Sequence, residues 1–373
     1  MTGFDAIIIG GGMAGASLAY HLAETMSVCI FEQESVAGYH ATGRSAAFWN
    51  ESYGGSLIQP LTSLSGPMLK NPPAEFSAHG FLRQRGALTI GSDAQRKAMQ
   101  DEQAFFAARN VDMQTLSRES MMQYLPGVKP KYSIANYEPE CSDIDVAALH
   151  NAYLTGAKKR GAVLRLGCGL ESAERHTGQW QVRCGGEDFS APLIVNASGA
   201  WADRVARCCG MEPLGITPLR RTVVQLRVSP PVADDMPLII DALGNFYFKP
   251  ESGRLWLSPH DETPSEPCDA APEEWDVALA IERLQEVVDW SIDAVEHRWA
   301  GLRSFAPDRV PVYGFDAAQT GFYWFAGQGG YGIQTAPAAA QLAAHHIAGT
   351  KLPSAFSDFD DAPYRASRFL NQE

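Results

Sequence analysis

The sequence predicts an α/β protein in which a Rossmann-like dinucleotide-binding domain is joined to a second, α+β domain containing a mostly antiparallel sheet. Three observations predict this. An apolar run near the start breaks into a glycine-rich turn and resumes as a helical pattern, "IIIGGGMAGASLAYHLAETMSVCIFEQE". The middle of the chain carries a series of short β-type runs, "RRTVVQLRV", "PLIIDAL", "FYFKP" and "RLWLSP". The chain has 373 residues, more than one core comfortably serves, so two domains are expected.

Ala6 to Ile9 is an unbroken apolar run rich in β-branching, the pattern of a strand buried on both faces. Gly10, Gly12 and Gly15 follow as G-x-G-x-x-G. The first permits a tight turn, the second lets the backbone approach a pyrophosphate, and the third lets the helix pack close to the strand. A helix from about Met13 to Thr25 offers its N-terminus to that anion. Val28 to Phe31 reads as the second strand and ends at Glu32, whose carboxylate can accept both ribose hydroxyls and disfavours a 2′-phosphate. The motif alone does not separate NAD from FAD. The segment after it, "GYHATGRSAAFWNESYGG", does: small and hydrogen-bonding residues there suit an extended cofactor, whereas an NAD domain would continue with another short βα unit. FAD is therefore expected.

Composition narrows the partners. Hydrophobic residues make up 45% and charged residues 20%, the balance of an ordinary globular protein. A formal net charge of -13 repels phosphate backbones and argues against nucleic acid. The 7 cysteines are odd in number and none form C-x-x-C, so reduced thiols in a cytoplasmic compartment are expected. No basic segment precedes the first apolar run, and no stretch of about 18 apolar residues is free of charges or breakers. Neither a signal peptide nor a transmembrane segment is expected; peripheral contact with the inner face of a membrane stays open. No metal site is expected.

Beyond Gly55 a helix is expected through Leu69, then a strand in "GALTIGS", a helix from Ala94 to Arg109, a helix from Ser142 to Lys159 and a strand in "GAVLRL". Trp180 to Cys184 and Phe189 to Val195 alternate like the strands of a hairpin. Asn196 to Gly199 gives a small-residue turn before a helix carrying Trp201 and Asp203, a second phosphate-side turn that returns the chain to the dinucleotide domain. The acidic, proline-containing "HDETPSEPCDAAPEE" reads as a solvated loop, and Pro272 as the start of a helix running to about Trp290. A final helix is expected from about Ala336 to Ile347. Before it, "FYWFAGQGGYGIQTAP" is a strand, a glycine cluster and a helix start. Gly327, Gly329, Gly330 and Gly332 allow close approach to a planar ring, and amides of Gly332 to Thr335 can face one edge of a flavin and stabilise negative charge there.

With these residues in view, the chain resembles the D-amino-acid oxidase superfamily of flavoproteins, in its D-amino-acid dehydrogenase branch and nearest the bacterial D-arginine dehydrogenases. The carriers are the N-terminal fingerprint with Glu32, "GYHATGRSAA" with Tyr53, "LIVNASGAWAD", "PLGITPLRR", "FYFKP", "WAGLRSF" and "QGGYGIQT", spread over nearly the whole chain. The resemblance implies a GR2-type FAD-binding domain assembled from residues 1–80, 140–212 and 300–373, and a substrate domain from 81–139 and 213–299. Glycines 10, 12 and 15 of the fingerprint apart, it implies FAD contacts at Ala14, Glu32, Gln33, Gly169 and Gly199. To these it adds the run Ala41, Thr42, Gly43, Arg44, Ser45, Ala46, Ala47 and Phe48, and the run Gly329, Gly330, Tyr331, Gly332, Ile333 and Gln334. It places the α-carboxylate of an amino acid on Arg221 and Arg303, Tyr53 and Tyr247 in the pocket, and the amino group near the backbone of Gly330. Strand alternation sends only one of Arg220 and Arg221 inward and does not choose between them; the resemblance chooses Arg221.

Two departures bear on the substrate. The arginine-type relatives have a pocket glutamate where this chain has Ala87, and an active-site histidine where it has Phe48. Both changes remove polarity. The resemblance, so modified, implies oxidation of a neutral, apolar D-amino acid by hydride transfer from Cα to flavin N5, giving an imino acid that water converts to a 2-oxo acid and ammonia. An oxygen-using oxidase of glycine, sarcosine or another secondary amino acid is the alternative, as is a flavin module acting on modified tRNA. The electron acceptor, a quinone or another respiratory carrier, is not specified. His40 sits in "HATG", similar to the "H-A-A-G" in which some relatives attach FAD covalently; the arginine-type relatives share it with non-covalent flavin, and non-covalent FAD is expected.

Overall fold

The protein is described by a computed structural model covering residues 2–369; Met1 and residues 370–373, which the expected FAD-binding domain includes, lie outside the described residues. The apolar run Ala6–Ile9 forms the centre of a six-stranded sheet. The order across that sheet is Val163–Arg165, Val28–Phe31, Ala6–Ile9, Leu193–Asn196, Phe322–Ala326 and Val312–Phe315. Neighbours run parallel except the last pair, which is antiparallel.

The two-residue side-chain period divides these strands between two cores. Ala6, Ile8, Val28, Ile30, Leu193 and Val195 face helices Met13–Leu22, Val146–Lys159 and Ala336–Ala348. Ile7, Ile9, Cys29, Phe31 and Ile194 face the other way, onto Trp180, Val182 and Phe189 of a four-stranded sheet. That leaves both faces of the central strands covered, which is why they read as continuous apolar runs.

The β-type runs of the middle section enter a ten-stranded sheet. From one edge it runs Gln328–Gly329, Ser291–Phe305, Thr217–Ser229, Arg254–Ser258, Tyr247–Glu251, Leu238–Asp241, Ala87–Gly91, Ile134–Glu138 and Gln114–Ser117, with Thr263–Pro264 paired to Thr217–Ser229 off this path. It is antiparallel except where Leu238–Asp241 lies parallel to Ala87–Gly91. Strand Ser291–Phe305 continues through the expected boundary at 299/300 and ends at the C-terminal glycine cluster, where Ser304 pairs with Gly329.

Several local expectations are corrected. Ser142–Ile144 is a strand in a three-stranded sheet with Phe48–Trp49 and Leu82–Gln84; the helix begins only at Val146, because the Asp145 carboxylate accepts from the Ala148 N–H and caps it there. The expected hairpin strand from Phe189 to Val195 is two strands, Glu187–Ala191 in the four-stranded sheet and Leu193–Asn196 in the parallel sheet. Cys168 and Cys184 are joined as a disulfide, against the expectation of reduced thiols throughout; the antiparallel pairing that sets Leu170 opposite Cys184 brings their Cα atoms to 5.4 Å. The acidic loop is not wholly solvated. Asp261 is buried and accepts from both the N–H and the hydroxyl of Thr222, and Asp269 pairs with Arg44. Among the described residues no helix is long and apolar enough to cross a membrane.

Candidate active site

The first glycine turn is built as its spacing demands. Gly10 has φ 108°, and a Cβ on Gly15 would lie 1.9 Å from the Gly10 carbonyl oxygen. No side chain caps helix Met13–Leu22 through its N-cap residue, Gly12. Of the first-turn amides, Met13 donates to Thr42 Oγ1 at 2.9 Å, and the helix end opens into a long cleft. Glu32 is buried at the end of its strand and accepts from the N–H groups of Gly11 and Glu34, both at 2.9 Å.

The cleft is open along one side, with about 1160 Å³ between its walls counted out to the open mouth. Its lining includes Glu32, Gln33 and Gly169, Gly10, Gly12, Ala14 and the Ala41–Thr42 turn, and Gly199 and Ser45. Arg303, Gly329, Gly330, Gly332 and Ile333 complete it. A buried carboxylate, a helix N-terminus that opens into the cleft and a side-chain-free glycine wall are what an adenine dinucleotide with a planar ring requires. The residues present fit FAD.

A smaller pocket adjoins the cleft, sharing Ser45, Arg303, Gly330 and Ile333 with it. Ser45, Ala46, Ala47, Phe48, Ile333 and Gln334 line it together with Tyr53, Arg221, Tyr247, Arg303 and Gly330. Register explains the two arginines. Arg303 lies opposite Leu219 and Arg221 opposite Gly301, so both side chains leave the same face of neighbouring antiparallel strands. Arg220, opposite Leu302, leaves the other face and is held by Glu273 and Asp276. The choice that alternation left open is thus made by long-range pairing.

The two cations differ in their surroundings. Arg221 is buried; its Nε donates to the Asp261 carbonyl at 2.9 Å and one Nη to Glu262 at 3.1 Å. Burial pulls its pKa down, but Tyr53, Tyr247, Glu262 and Asp261 together hold it above the ordinary arginine value, so it stays charged. Arg303 has no carboxylate partner among the described residues; its only side-chain contact of note is Ser45 Oγ at 3.5 Å. Arg303 thus lines both cavities with no counter-ion among the described residues. His260, close by, is pushed down to about 4 by burial and by Arg221, so it adds no charge near neutral pH.

The aromatic wall is continuous. Phe48 packs on Tyr53 at 5.1 Å and on Tyr247 at 6.0 Å, and Tyr53 packs on Tyr331 at 5.3 Å. Tyr331 itself lines neither cavity; burial and Tyr53 push its phenol up to about 12. Tyr53 is fixed through its backbone: its N–H donates to Asn50 Oδ1 at 2.8 Å, and its carbonyl accepts from Gln334 at 3.1 Å.

Other expected contacts lie behind the walls. Gly15 and Gly43 pack against backbone carbonyls, and the Arg44 side chain turns away to Asp269 and to the carbonyls of Ala270 and Ala300. Ala87 is buried with Ala46 and Tyr247 but does not reach either cavity. Three residues carried no sequence signal. His150 Nε2 meets the Gly11 carbonyl at 2.9 Å and braces the glycine turn. Glu138, opposite Ala87, accepts from the Glu51 N–H at 2.7 Å and so holds the segment that carries Tyr53. Glu262 reaches Arg221 from the acidic loop.

Comparison with known proteins agrees with this geometry. A family model described as FAD dependent oxidoreductase (DAO) matches residues 5–346. Human mitochondrial dimethylglycine dehydrogenase is 27% identical over 69% of this chain and 30% of its own length, and the rat enzyme is matched over 41% of its length, so this chain spans less than half of those relatives. Glycine oxidase of Geobacillus kaustophilus is 24% identical over 99% of this chain and 98% of its own. Its crystal structure superposes with a TM-score of 0.84 at 22% identity, covering 99% of each chain. L-Proline dehydrogenase from P. horikoshii gives 0.82 at 20% identity, covering 94% of this chain and 96% of that one. With the dinucleotide cleft, its acidic end and its glycine wall in place, the chain belongs to the DAO family of FAD-dependent oxidoreductases.

Proposed function

We propose that the protein oxidises the carbon–nitrogen bond of a small amino acid held by its carboxylate between Arg221 and Arg303. The observation that carries this reading is the unpaired Arg303 guanidinium, which lines both the dinucleotide cleft and the adjoining small cavity. FAD, bound non-covalently along the cleft, supplies the hydride acceptor. The chain's own residues bind and orient. Two guanidiniums on one sheet face fix a carboxylate in one pose, and charge-assisted bonds of this kind contribute roughly 1.5–3 kcal/mol each. With the carboxylate pinned there, Cα is directed toward the Gly329–Gly330 wall and the amino group toward the Gly330 backbone. Orientation is thus the main contribution. The ionisable side chains among the described residues lining the small cavity are Tyr53, Arg221, Tyr247 and Arg303. None of the four is a carboxylate or an imidazole, the usual general bases. The cations instead disfavour an ammonium and draw the substrate in with a neutral amine, the form that can release hydride. Activity accordingly rises with pH through the range where that amine loses its proton.

The small, apolar walls of Ala46, Ala47 and Phe48 support a neutral side chain, as in a D-amino acid such as D-leucine or D-phenylalanine. The second reading, glycine or an N-substituted amino acid such as sarcosine, dimethylglycine or proline, is favoured by the names of the relatives: dimethylglycine dehydrogenase, sarcosine dehydrogenase, glycine oxidase. Anaerobic mixing of the yellow holoprotein with a panel of these compounds and with D-arginine, while the flavin absorbance is followed, separates the two. Bleaching by a small neutral member supports the proposal. Bleaching by D-arginine alone, or by none of them, refutes it.

A further inference from the structure

Glu262 occupies a position that an amino-acid site does not obviously need. One of its oxygens, Oε1, is shared between Arg221 Nη2 at 3.1 Å and Arg309 Nη2 at 2.7 Å. Arg221 is buried, whereas Arg309 is half-exposed and lies over the Phe305 ring, 4.0 Å from its centroid. The loop that carries Glu262 is anchored beside Arg221: Asp261 receives two hydrogen bonds from Thr222 and returns its carbonyl to Arg221 Nε. Two faces of Arg221 are thereby taken by the protein, while Nη1 makes no hydrogen bond among the described residues. A carboxylate of the chain therefore already sits on the guanidinium that a substrate carboxylate would use.

From this arrangement, and resting on the carboxylate-anchoring reading above, we infer that Glu262 is an internal competitor for the substrate carboxylate, and that Arg309 draws it off Arg221 from outside. Glu262 then sets the affinity of the site for a carboxylate. It limits how strongly buried Arg221 and its neighbour Arg303 attract an anion, and Arg309 sets how much of that attraction remains. The two residues have effects of opposite sign. Removing the Glu262 charge strips a like charge from beside the incoming carboxylate and frees a donor of Arg221. Removing Arg309 returns the whole of Glu262 to Arg221.

The test is a calorimetric titration of benzoate into the FAD-loaded protein. At an effective dielectric near 20, a unit charge about 12 Å away changes binding by about tenfold, and a nearer one by more. Glu262→Gln is expected to tighten benzoate by about tenfold, and Arg309→Gln, an exposed site that tolerates change, to weaken it by about threefold or more. Glu262→Gln with unchanged or weaker binding overturns the inference, since a merely structural glutamate gives that sign. If Glu262→Gln does not fold, Arg309→Gln that fails to weaken binding overturns it as well. Arg303→Gln separates the two levels of the argument. Loss of benzoate binding in Arg303→Gln, with no tightening in Glu262→Gln, leaves the functional reading standing and removes the inference alone. Unchanged binding in Arg303→Gln removes both.

Discussion

Replacing Arg303 by glutamine removes the one cation that lines both cavities and has no carboxylate partner among the described residues. Because nothing in the fold leans on that charge, the substitution should cost binding and catalysis more than stability. A bidentate guanidinium–carboxylate contact comprises two charge-assisted bonds of roughly 1.5–3 kcal/mol each, together about 3–6 kcal/mol. At about 1.4 kcal/mol per factor of ten, that is a fall of roughly 10²–10⁴ in kcat/KM. Arg303→Lys keeps the charge and loses the fork, so its loss is expected to be about 10–10², between the two. Arg220→Lys provides the contrast: it sits on the opposite face with Glu273 and Asp276, and should lower the melting temperature while leaving KM within about threefold. The assay is the rate of flavin bleaching by the best compound of the panel, measured alongside thermal unfolding. An Arg303→Gln protein within threefold of the parent, or one whose only defect is unfolding, refutes the anchoring role.

Gly15→Ala places a Cβ 1.9 Å from the Gly10 carbonyl and breaks the glycine turn; gel-filtered protein should carry little FAD or melt early, and full FAD content would contradict this. Burial pushes the Glu138 carboxyl up to about 7 from the ordinary 4.5, with one oxygen left unpartnered. The folded protein then holds that proton more tightly than the unfolded chain, so stability falls as pH rises from about 4.5 to 7 and stays low above. Glu138→Gln should therefore be more stable than the parent at pH 8, by up to about 3 kcal/mol, and equal to it near pH 4; a denaturant titration at the two pH values checks the sign. Acid precipitation should leave the yellow colour in the supernatant; a yellow pellet would show a covalent flavin, with His40, which lines the cleft, as the attachment point to examine.

The sequence made the cofactor side of the fold legible because its signals are local. Gly10, Gly12, Gly15 and Glu32 lie within one βαβ unit, and the pattern that announces them is the pattern that builds them. The substrate side is assembled across the chain, and there local reading reached its limit. Whether Arg220 or Arg221 turns inward depends on pairing with a strand some eighty residues away, which alternation cannot supply. Glu262 sat in a loop whose acid and proline content reads as solvated surface; its role follows from the anchoring of Asp261 on Thr222. Glu138 and His150 carry no motif and act through backbone groups of Glu51 and Gly11, distant in sequence. The disulfide between Cys168 and Cys184 is likewise a product of strand register, not of cysteine spacing. Ser142–Ile144 failed for a related reason: its strand exists only because Phe48–Trp49 and Leu82–Gln84 flank it.

The most direct measurement is a crystal structure of the FAD-loaded protein with a non-reacting carboxylate, benzoate, in the small cavity. Its two oxygens are expected within about 3 Å of nitrogens of both Arg221 and Arg303, over a ring seated against Gly329 and Gly330. A carboxylate bound elsewhere, or Arg303 turned to solvent with the ring in place, would contradict this.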